Sequence, residues 1–288
     1  MNNFYASSLS RRVVMQFCDD PDRNTIGRMN SNPEVIRVGD MVIKFGRVSL
    51  EEACNQHAAA TLVNPEVLVV PKVYDYFQSG DRAFLVMQFV QGRHPTVREY
   101  SSVLPEVAKS LAYLHTFTRH YPGPYAPGRS LGLLWCDDVN VLSFVSKDAL
   151  ASYLNSRLRD KTYAFDFKST TMVFCHLDVA PRNIVVTNDR ICLLDWESAG
   201  FYPRSLERCA IRRNCGNHGE DGEYCTWMDY YSGLQEPLSP EELLQAQMVD
   251  RVVGNNIRYD FSVPTGRKNR RRRRLDLQAA VEERQTDS

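Results

Sequence analysis

Short apolar runs alternate with polar residues in the first third of the chain. The stretch VIRVGDMVIKFG changes direction at Gly39-Asp40 and predicts a β-hairpin, and residues 83 to 87 predict another strand. Between them, SLEEACNQHAAATLV begins with Ser49, has a Glu three residues later and continues as an Ala-rich run, which predicts a helix. We therefore expect strands with one helix in this part of the chain.

From about residue 103 the apolar residues recur at helical spacing. In VLPEVAKSLAYLHTF they are Val107, Leu111 and Leu114, and DALASYLNSRL repeats the pattern. A further helix is predicted in SPEELLQAQMVDRVV, which begins with Ser239 followed by a proline and acidic residues. Residues 121–140 are rich in Pro and Gly and predict a long loop. A strand-rich part thus precedes a helix-rich remainder.

The stretch HLDVAPRNIVVTNDRICLLDW, residues 176–196, has two apolar runs with polar residues at their ends. A three-residue hairpin loop at 188–190 would place Asn183 directly opposite Asp195, roughly 5 Å away. Amide and carboxylate oxygens at that separation could share a hard cation such as Mg²⁺. Asp178, in the loop before the first strand, could then face a substrate hydroxyl.

These residues also resemble a known family. The pattern His176-x-Asp178-x-x-x-x-Asn183, followed by an apolar strand and Asp195, resembles the catalytic and metal loops of the protein-kinase-like superfamily. The segments HLDVAPRNIVV and LLDWESAGFYP together are most similar to aminoglycoside phosphotransferase family kinases, particularly fungal members. VIKFG, EEA and FLVMQFVQG resemble, in the family's order, the strand with the nucleotide-binding Lys, the helix whose Glu pairs with it, and the hinge between lobes.

The resemblance implies an α+β, two-lobed protein-kinase-like fold. Its N-lobe would be a small antiparallel sheet with one helix, and its C-lobe would be larger and mainly helical. We expect the nucleotide-binding lobe at residues 1–88 and the catalytic and substrate lobe at 89–260. The remaining residues, 261–288, predict a disordered basic tail.

Nucleotide binding is assigned to four residues by the same resemblance. Lys44 would contact the α- and β-phosphates of ATP, and Glu52 would hold Lys44 by an ion pair. Glu52 could instead cap its own helix, and Glu51 is then the competing partner. The backbone of Gln88 and Val90 would bind the adenine edge.

Catalysis and metal binding are assigned to the hairpin. Asp178 would accept or orient the proton of the substrate hydroxyl, although an Asx turn is the alternative for this residue. Asn183 and Asp195 would ligate Mg²⁺, with a polar pair closing a hairpin as the alternative. His176 is expected to pack and orient the loop rather than to act as an acid or base.

The sequence departs from protein kinases in four respects. It has Gly39 but no Gly-x-Gly-x-x-Gly, it has Asp195-Trp-Glu in place of Asp-Phe-Gly, it has Leu177 where they carry an Arg, and it lacks a downstream Ala-Pro-Glu. In protein kinases that Arg contacts a phosphorylated activation loop, so its absence argues against this form of regulation. We therefore expect a small-molecule rather than a protein substrate. The leading hypothesis is an ATP- and Mg²⁺-dependent kinase acting on a hydroxyl; a catalytically silent binding module is second and a protein kinase third.

Charge and composition limit the partners. Lys+Arg and Asp+Glu both number 35 in the 288 residues, so no net charge favours nucleic acid or an acidic membrane. The N-terminus lacks a signal-peptide core, and no apolar run approaches the roughly 18 residues that span a bilayer. The expectation is a cytoplasmic protein without a membrane partner, whose cysteines are reduced.

Two further features have alternative interpretations. Cys209, Cys215, His218 and Cys225 could bind zinc, but their irregular spacing favours ordinary loop cysteines. The run Arg270–Arg274 could bind nucleic acid or act as a nuclear address, but a solvated tail is favoured.

Overall fold

A computed structural model of the chain describes residues 4–5, 9–27, 32–135, 143–188, 190–216, 237–259 and 261. The helices among these residues are α1 (Arg11–Asp19), α2 (Leu50–Leu62), α3 (Tyr100–Leu114), α4 (Lys147–Arg157), α5 (Arg204–Gly216) and α6 (Pro240–Arg258). The strands are β1 (Glu34–Val38), β2 (Met41–Gly46), β3 (Val73–Ser79), β4 (Arg82–Gln88), β5 (Thr118–Arg119), β6 (Met172–Cys175), β7 (Ile184–Val186), β8 (Ile191–Leu193) and β9 (Gly200–Tyr202). Short 3₁₀ turns cover Val97–Glu99 and Pro181–Asn183.

Strands β1 to β4 form an antiparallel sheet in the order β1-β2-β4-β3. The predicted hairpin is confirmed: Val38 pairs with Met41 across a two-residue turn, and Gly39 there has φ +59°, a conformation that glycine adopts without strain. The strand predicted at residues 83–87 is β4. Its partner β3 and helix α1 were not predicted from the sequence.

Helix α2 packs against this sheet and begins where the sequence predicts. The hydroxyl of Ser49 accepts a hydrogen bond from the backbone N–H of Glu52 at 3.0 Å and caps the helix. Seven of its side chains are buried: Glu52, Ala53, Cys54, Asn55, Gln56, Ala58 and Ala59. The polar members of that set need internal partners, which are described with the site below.

The second half of the chain is mainly helical, as predicted. Helices α3 to α6 surround a three-stranded sheet, β5-β6-β9, and a two-stranded one, β7-β8. The largest apolar cluster among the described residues lies here and includes the fully buried Leu111, Phe174 and Trp196. Helix α6 starts with the predicted capping box, in which Ser239 and Glu242 each bind the backbone N–H of the other.

The hairpin β7-β8 has a different register from the predicted one. Ile191 pairs with Val186 rather than with Thr187, so the loop has four residues instead of three. The physical reason is Thr187, whose backbone N–H and hydroxyl both bind the carbonyl of Arg190, at 3.0 and 2.9 Å, and so belong to the turn. Asn183 therefore does not lie directly opposite Asp195, and that prediction was wrong.

The chain that leaves β4 is joined to this hairpin. Arg93 and Val186 exchange two backbone hydrogen bonds, of 3.1 and 2.8 Å. The neighbouring Gly92 lies so close to the hairpin that a Cβ there would come within 2.5 Å of the Val186 carbonyl oxygen. The close approach requires glycine and fixes the four-stranded sheet relative to the hairpin.

Part of the predicted long loop at 121–140 is described, up to residue 135. It runs along β9, where Gly123 and Phe201 exchange backbone hydrogen bonds of 3.0 and 2.8 Å. The tail from residue 262 onward lies outside the described residues, and so does the run Arg270–Arg274. Within the described part of the chain, no helix combines the length and apolar character needed to cross a membrane.

Candidate active site

Lys44 on β2 and Glu52 on α2 form a buried ion pair. The Lys44 Nζ lies 2.7 Å from Glu52 Oε1, and the two residues are 8% and 1% exposed. Because the helix cap uses only the backbone N–H of Glu52, its carboxylate is available to Lys44. The competing Glu51 instead accepts a hydrogen bond from the backbone N–H of Arg129 at 3.0 Å. The geometry therefore selects Glu52 over Glu51 as the partner of Lys44.

The same ammonium group reaches the second half of the chain. Lys44 Nζ lies 3.2 Å from Asp195 Oδ1, across 151 residues of sequence. Burial disfavours the charge on Lys44, but the carboxylates of Glu52 and Asp195 outweigh burial and raise the pKa of Lys44. Burial also opposes the charge on Asp195, yet Lys44 outweighs it and lowers the pKa of Asp195. Lys44 is thus held as a cation between two elements.

Asp178 lies in the loop before β7, where three side chains hold its carboxylate. Its Oδ1 accepts hydrogen bonds from Arg182 at 2.6 Å and from Asn214 at 2.8 Å. Its Oδ2 accepts one from the amide of Asn183 at 2.7 Å. Burial raises the pKa of Asp178 above its ordinary value, with the charge of Arg182 acting in the opposite direction. Asp178 is a fixed and partly desolvated carboxylate, which suits a proton acceptor.

The side chains of this site have oxygens left for a cation. The amide nitrogen of Asn183 is used by Asp178, whereas its Oδ1 accepts no hydrogen bond from a described residue. Asp195 uses Oδ1 for Lys44, and no described residue binds its Oδ2. The two residues lie close together because the N–H of Leu194 donates to the carbonyl of Asn183 at 2.9 Å. One amide and one carboxylate oxygen suit Mg²⁺, so the donor set fits that ion.

Glu197 adds negative charge beside these residues. Burial raises the pKa of its carboxyl, Lys44 opposes that effect, and the carboxylates of Asp195 and Asp178 reinforce it. Three neighbouring carboxylates that repel one another favour a bound cation, in agreement with the free oxygens.

The loop that carries Asp178 is anchored by a buried carboxylate. Glu207 on α5 is fully buried and accepts hydrogen bonds from the backbone N–H groups of His176 and Leu177, at 2.6 and 2.9 Å. Leu177 has φ +61°, a left-handed conformation that costs a non-glycine residue about 1–2 kcal/mol. Glu207 therefore stabilises a strained segment next to Asp178.

His176 has contacts that fit the packing role predicted for it. Its Nδ1 accepts a hydrogen bond from the N–H of Asp178 at 3.2 Å, and its Nε2 donates to the carbonyl of Leu194 at 3.0 Å. Its ring also packs edge-on against Trp196, with centroids 4.7 Å apart. Both ring nitrogens are occupied by backbone groups, so the ring orients the loop.

The predicted adenine site lies where β4 ends. The N–H of Gln88 donates to the carbonyl of Lys72 at 2.9 Å, which leaves only its carbonyl as a backbone group that could face a nucleotide. Val90 follows two residues later and is half-buried. The side chain of Gln88 accepts a hydrogen bond from the N–H of Lys72 at 3.4 Å.

The potential zinc ligands are described only in part. Cys209 on α5 is buried, and its Sγ lies 3.3 Å from Asp250 Oδ1. The side chain of Cys215 and the whole of His218 and Cys225 lie outside the described residues.

Comparisons with known proteins identify the family of this chain and structures that share its fold. The sequence model of the phosphotransferase enzyme family, APH, matches residues 24–207, which is more than half of the chain. The chain belongs to the phosphotransferase enzyme family. The matched range of the family extends from before β1 to Glu207, so it includes every residue of the proposed nucleotide, metal and catalytic sites. No curated protein matches the sequence.

Solved structures share the fold of this phosphotransferase family member at low identity. Aminoglycoside phosphotransferase APH(4)-Ia is 14% identical with a TM-score of 0.54, over 86% of this chain and 88% of that one. A choline/ethanolamine kinase family protein from Mesorhizobium loti is 16% identical with a TM-score of 0.50, over 85% and 83%. Choline kinase LicA from Streptococcus pneumoniae is 13% identical with a TM-score of 0.50, over 94% and 95%. The predicted protein-kinase-like fold is confirmed.

Sequence reasoning missed three site residues of this phosphotransferase family member. Asn214 and Glu207 contact the loop that carries Asp178 from α5, and Arg182 contacts Asp178 from within that loop. Arg182 is the one with a sequence signal, because it lies four residues after Asp178 beside Asn183. Asn214 and Glu207 belong to a helix of ordinary polar composition that carries no such signal.

Proposed function

We propose that this chain is an ATP- and Mg²⁺-dependent phosphotransferase that phosphorylates a hydroxyl group of a small molecule. The observation that carries the proposal is that Lys44 Nζ lies between Glu52 and Asp195, at 2.7 and 3.2 Å. These residues come from three separate elements, and a surface lysine would not need a fully buried glutamate and a second, half-buried carboxylate as partners. Phosphoryl transfer depends on positioning and charge stabilisation, which such an assembly provides.

Nucleotide binding would be shared between the two halves of the chain. Lys44 would contact the α- and β-phosphates, with Glu52 holding its ammonium in place. Asn183 and Asp195 would hold Mg²⁺, which neutralises the charge that develops on the phosphoryl group. The backbone carbonyl of Gln88, with Val90 beside it, would receive the adenine edge.

Asp178 would act on the acceptor. Its carboxylate would orient the substrate hydroxyl and accept its proton through one oxygen, while Asn183 and Arg182 keep the carboxylate from rotating. Because the phosphoryl transition state is loose, alignment of the hydroxyl contributes more than basicity does.

The acceptor is proposed to be a small molecule. Relatives with the same fold are named as an aminoglycoside phosphotransferase and as choline kinases, whose acceptors differ in chemistry. Fold likeness alone therefore does not select one of them. Leu177 is buried, at 1% exposure, at the position where protein kinases carry the Arg that contacts a phosphorylated activation loop. This disfavours a protein kinase that is regulated by such a loop.

A catalytically silent binding module is the second candidate. It is favoured by the turn between β1 and β2, which has only two residues and no glycine-rich cover for phosphates. The formed Lys44–Glu52–Asp195 contacts favour the enzyme, since a silent module does not need a lysine paired at this site.

Calorimetric titration with ATP, with and without Mg²⁺, tests the proposal. The parent protein should bind ATP more tightly with Mg²⁺, and Asp195→Asn should lose that dependence. An exposed acid outside the site, replaced in Asp22→Asn, is the control and should bind as the parent does. Absence of ATP binding to the parent protein would refute the proposed function.

The two candidates separate in a turnover assay. ADP production would be measured with choline, ethanolamine and aminoglycosides, followed by a panel of other hydroxylated metabolites. Sustained acceptor-dependent turnover that Asp178→Ala abolishes would exclude the silent module. Mg²⁺-dependent ATP binding without turnover on any acceptor would favour it.

A further inference from the structure

Asn55 is a buried polar residue on α2 that the catalytic scheme does not use. It lies one turn after Glu52 and has no exposed surface. Its Nδ2 donates to two backbone carbonyls, of Ala199 at 2.7 Å and of Trp196 at 3.2 Å. Its Oδ1 accepts a hydrogen bond from the N–H of Tyr125 at 2.8 Å. Both amide hydrogens and the carbonyl are therefore engaged, as a buried amide requires.

The two carbonyls belong to the turn that follows Asp195. The N–H of Ala199 donates to the carbonyl of Trp196 at 3.2 Å and closes this turn. Asp195 itself has φ +63°, so its side chain direction depends on a left-handed backbone that a non-glycine residue adopts only when its surroundings hold it there. The turn from Trp196 to Ala199 follows Asp195 directly, and Asn55 is hydrogen-bonded to the carbonyls at both ends of this turn.

The third bond attaches the loop before residue 135. Gly123 of that loop exchanges backbone hydrogen bonds with Phe201, which follows the turn. The N–H of Arg129 in the same loop donates to the Glu51 carboxylate on α2. Three segments that are distant in sequence thus meet at one amide. None of these contacts involves the four-stranded sheet β1-β2-β4-β3, so they fix α2 directly relative to the second half of the chain.

We propose that Asn55 is a positioning residue that sets the separation of Glu52 and Asp195, and thereby aligns Lys44 and the metal ligand for nucleotide binding. The inference rests on the proposed function. Glu52 is carried by the same helix one turn earlier, and Asp195 directly precedes Trp196, to which Asn55 binds. A shift of α2 away from the turn would lengthen one of the two Lys44 contacts, because a single ammonium cannot follow both carboxylates.

Gln56 offers a matched control on the same helix. It is also a buried amide, at 1% exposure, and its Nε2 donates to the carbonyl of Pro71 at 2.9 Å and contacts Met87 Sδ at 3.3 Å. Met87 is in β4 of the four-stranded sheet, and Pro71 lies just before β3 of the same sheet. Gln56→Met therefore removes a buried amide without touching the link to the Asp195 turn.

The test compares ATP affinity with and without Mg²⁺ in the parent, Asn55→Leu, Asn55→Asp and Gln56→Met. Asn55→Asp keeps an acceptor for Tyr125 but places an oxygen against the two carbonyls. In both Asn55 variants the Mg²⁺-dependent gain in ATP affinity should fall about tenfold, within the usual range of coupling between sites. In Gln56→Met it should stay within about twofold of the parent. Thermal unfolding of each variant sets a temperature at which all are folded.

The outcomes separate this inference from the proposed function. If the parent binds Mg²⁺ and ATP together and the Asn55 variants keep the parental gain, the positioning role is overturned and the function stands. Equal losses in Gln56→Met and the Asn55 variants would likewise overturn it, because they would report general destabilisation. A parent that shows no Mg²⁺-dependent ATP binding refutes the function itself.

A measurement on the parent covers the case in which no Asn55 variant folds. The Tyr125 N–H should exchange with solvent more slowly in the presence of ATP and Mg²⁺ than with ATP alone, because the ligands hold the junction closed. Unchanged exchange of this amide on ligand binding would overturn the inference.

Discussion

Asn183 donates its side-chain amide both to the carboxylate of Asp178, at 2.7 Å, and to the backbone carbonyl of the same residue, at 2.8 Å. Both amide hydrogens are thereby directed at Asp178, and the amide oxygen points elsewhere. The spacing of five residues in the HxDxxxxN pattern thus has a physical meaning. One residue orients the Asp178 carboxylate, and its remaining oxygen is the one that we propose as a metal ligand.

Asp178→Asn should remove turnover but keep nucleotide binding. The change deletes the proton acceptor while preserving the size of the side chain, and positioned acid–base groups contribute about 10²- to 10⁴-fold. We expect kcat to fall by about that factor with an accepted substrate, and the Kd for ATP with Mg²⁺ to change by less than about threefold. A variant with parental kcat would show that Asp178 does not handle the proton.

Arg182→Met should move the acidic limb of the pH–rate profile to higher pH. Burial raises the pKa of Asp178, and the Arg182 guanidinium at 2.6 Å opposes that shift. Activity needs the ionised carboxylate, so it is lost as the pH falls through this pKa. Removal of the positive charge raises the pKa further, and kcat/KM should begin to fall at a higher pH than in the parent. Arg12→Met, at an exposed position of helix α1, is the control. An acidic limb that stays in place or moves to lower pH in Arg182→Met contradicts the assignment.

Glu207→Gln should disrupt the loop that carries Asp178 more than the proposed nucleotide site. A glutamine can accept from one of the two buried N–H groups, but its own NH₂ would face the other. An unpaired buried donor costs about 1–3 kcal/mol, and Leu177 would lose the contact that stabilises its left-handed backbone. We expect lower unfolding stability and a reduced kcat with ATP affinity retained. The exposed Glu106→Gln on α3 serves as the control, and parental kcat in Glu207→Gln would count against this role.

Glu242→Gln should lower stability in a pH-dependent manner. The Glu242 carboxylate binds Arg204 of α5 at 2.7 Å and the N–H of Ser239 at 2.8 Å, and the Arg204 hydrogen bond lowers its pKa below the ordinary 4.5. Because the pKa of the folded state is the lower one, this stabilisation is complete above the unfolded pKa and is lost as the pH falls through the folded pKa.

The measurement is unfolding by denaturant at neutral pH and at progressively lower pH. Glu242→Gln should cost about 1–2 kcal/mol near neutral pH, because solvent screens this partly exposed pair below the roughly 1.5–3 kcal/mol of a hydrogen bond to a charged group. The difference from the parent should shrink below the ordinary carboxyl pKa. A difference that does not depend on pH would mean that packing, rather than charge, explains the loss.

Features of short range were predictable from the sequence. The β1-β2 hairpin at Gly39, the start of α2 at Ser49 and the capping box at Ser239 all depend on residues within a few positions of one another. Their physics is local, since backbone preference and capping act within one turn of chain. The HxDxxxxN spacing is local in the same sense, but Asn183 was predicted to pair with Asp195, and the hydrogen bonds between Asn183 and Asp178 were found only in the structure.

Only the tertiary structure decided the contacts between distant segments. Three such contacts are the ion pair of Lys44 with Glu52 rather than Glu51, the hydrogen bonds of Asn55, and those of Glu207. They join residues that are 8 to 144 positions apart in the sequence. In the sequence these are ordinary polar residues of helices, because the sequence does not show whether a glutamate will be exposed to solvent or buried against a partner. What distinguishes them is the cost of burying a polar group without a partner, and that cost exists only once the chain has folded and chosen which partners lie within hydrogen-bonding distance.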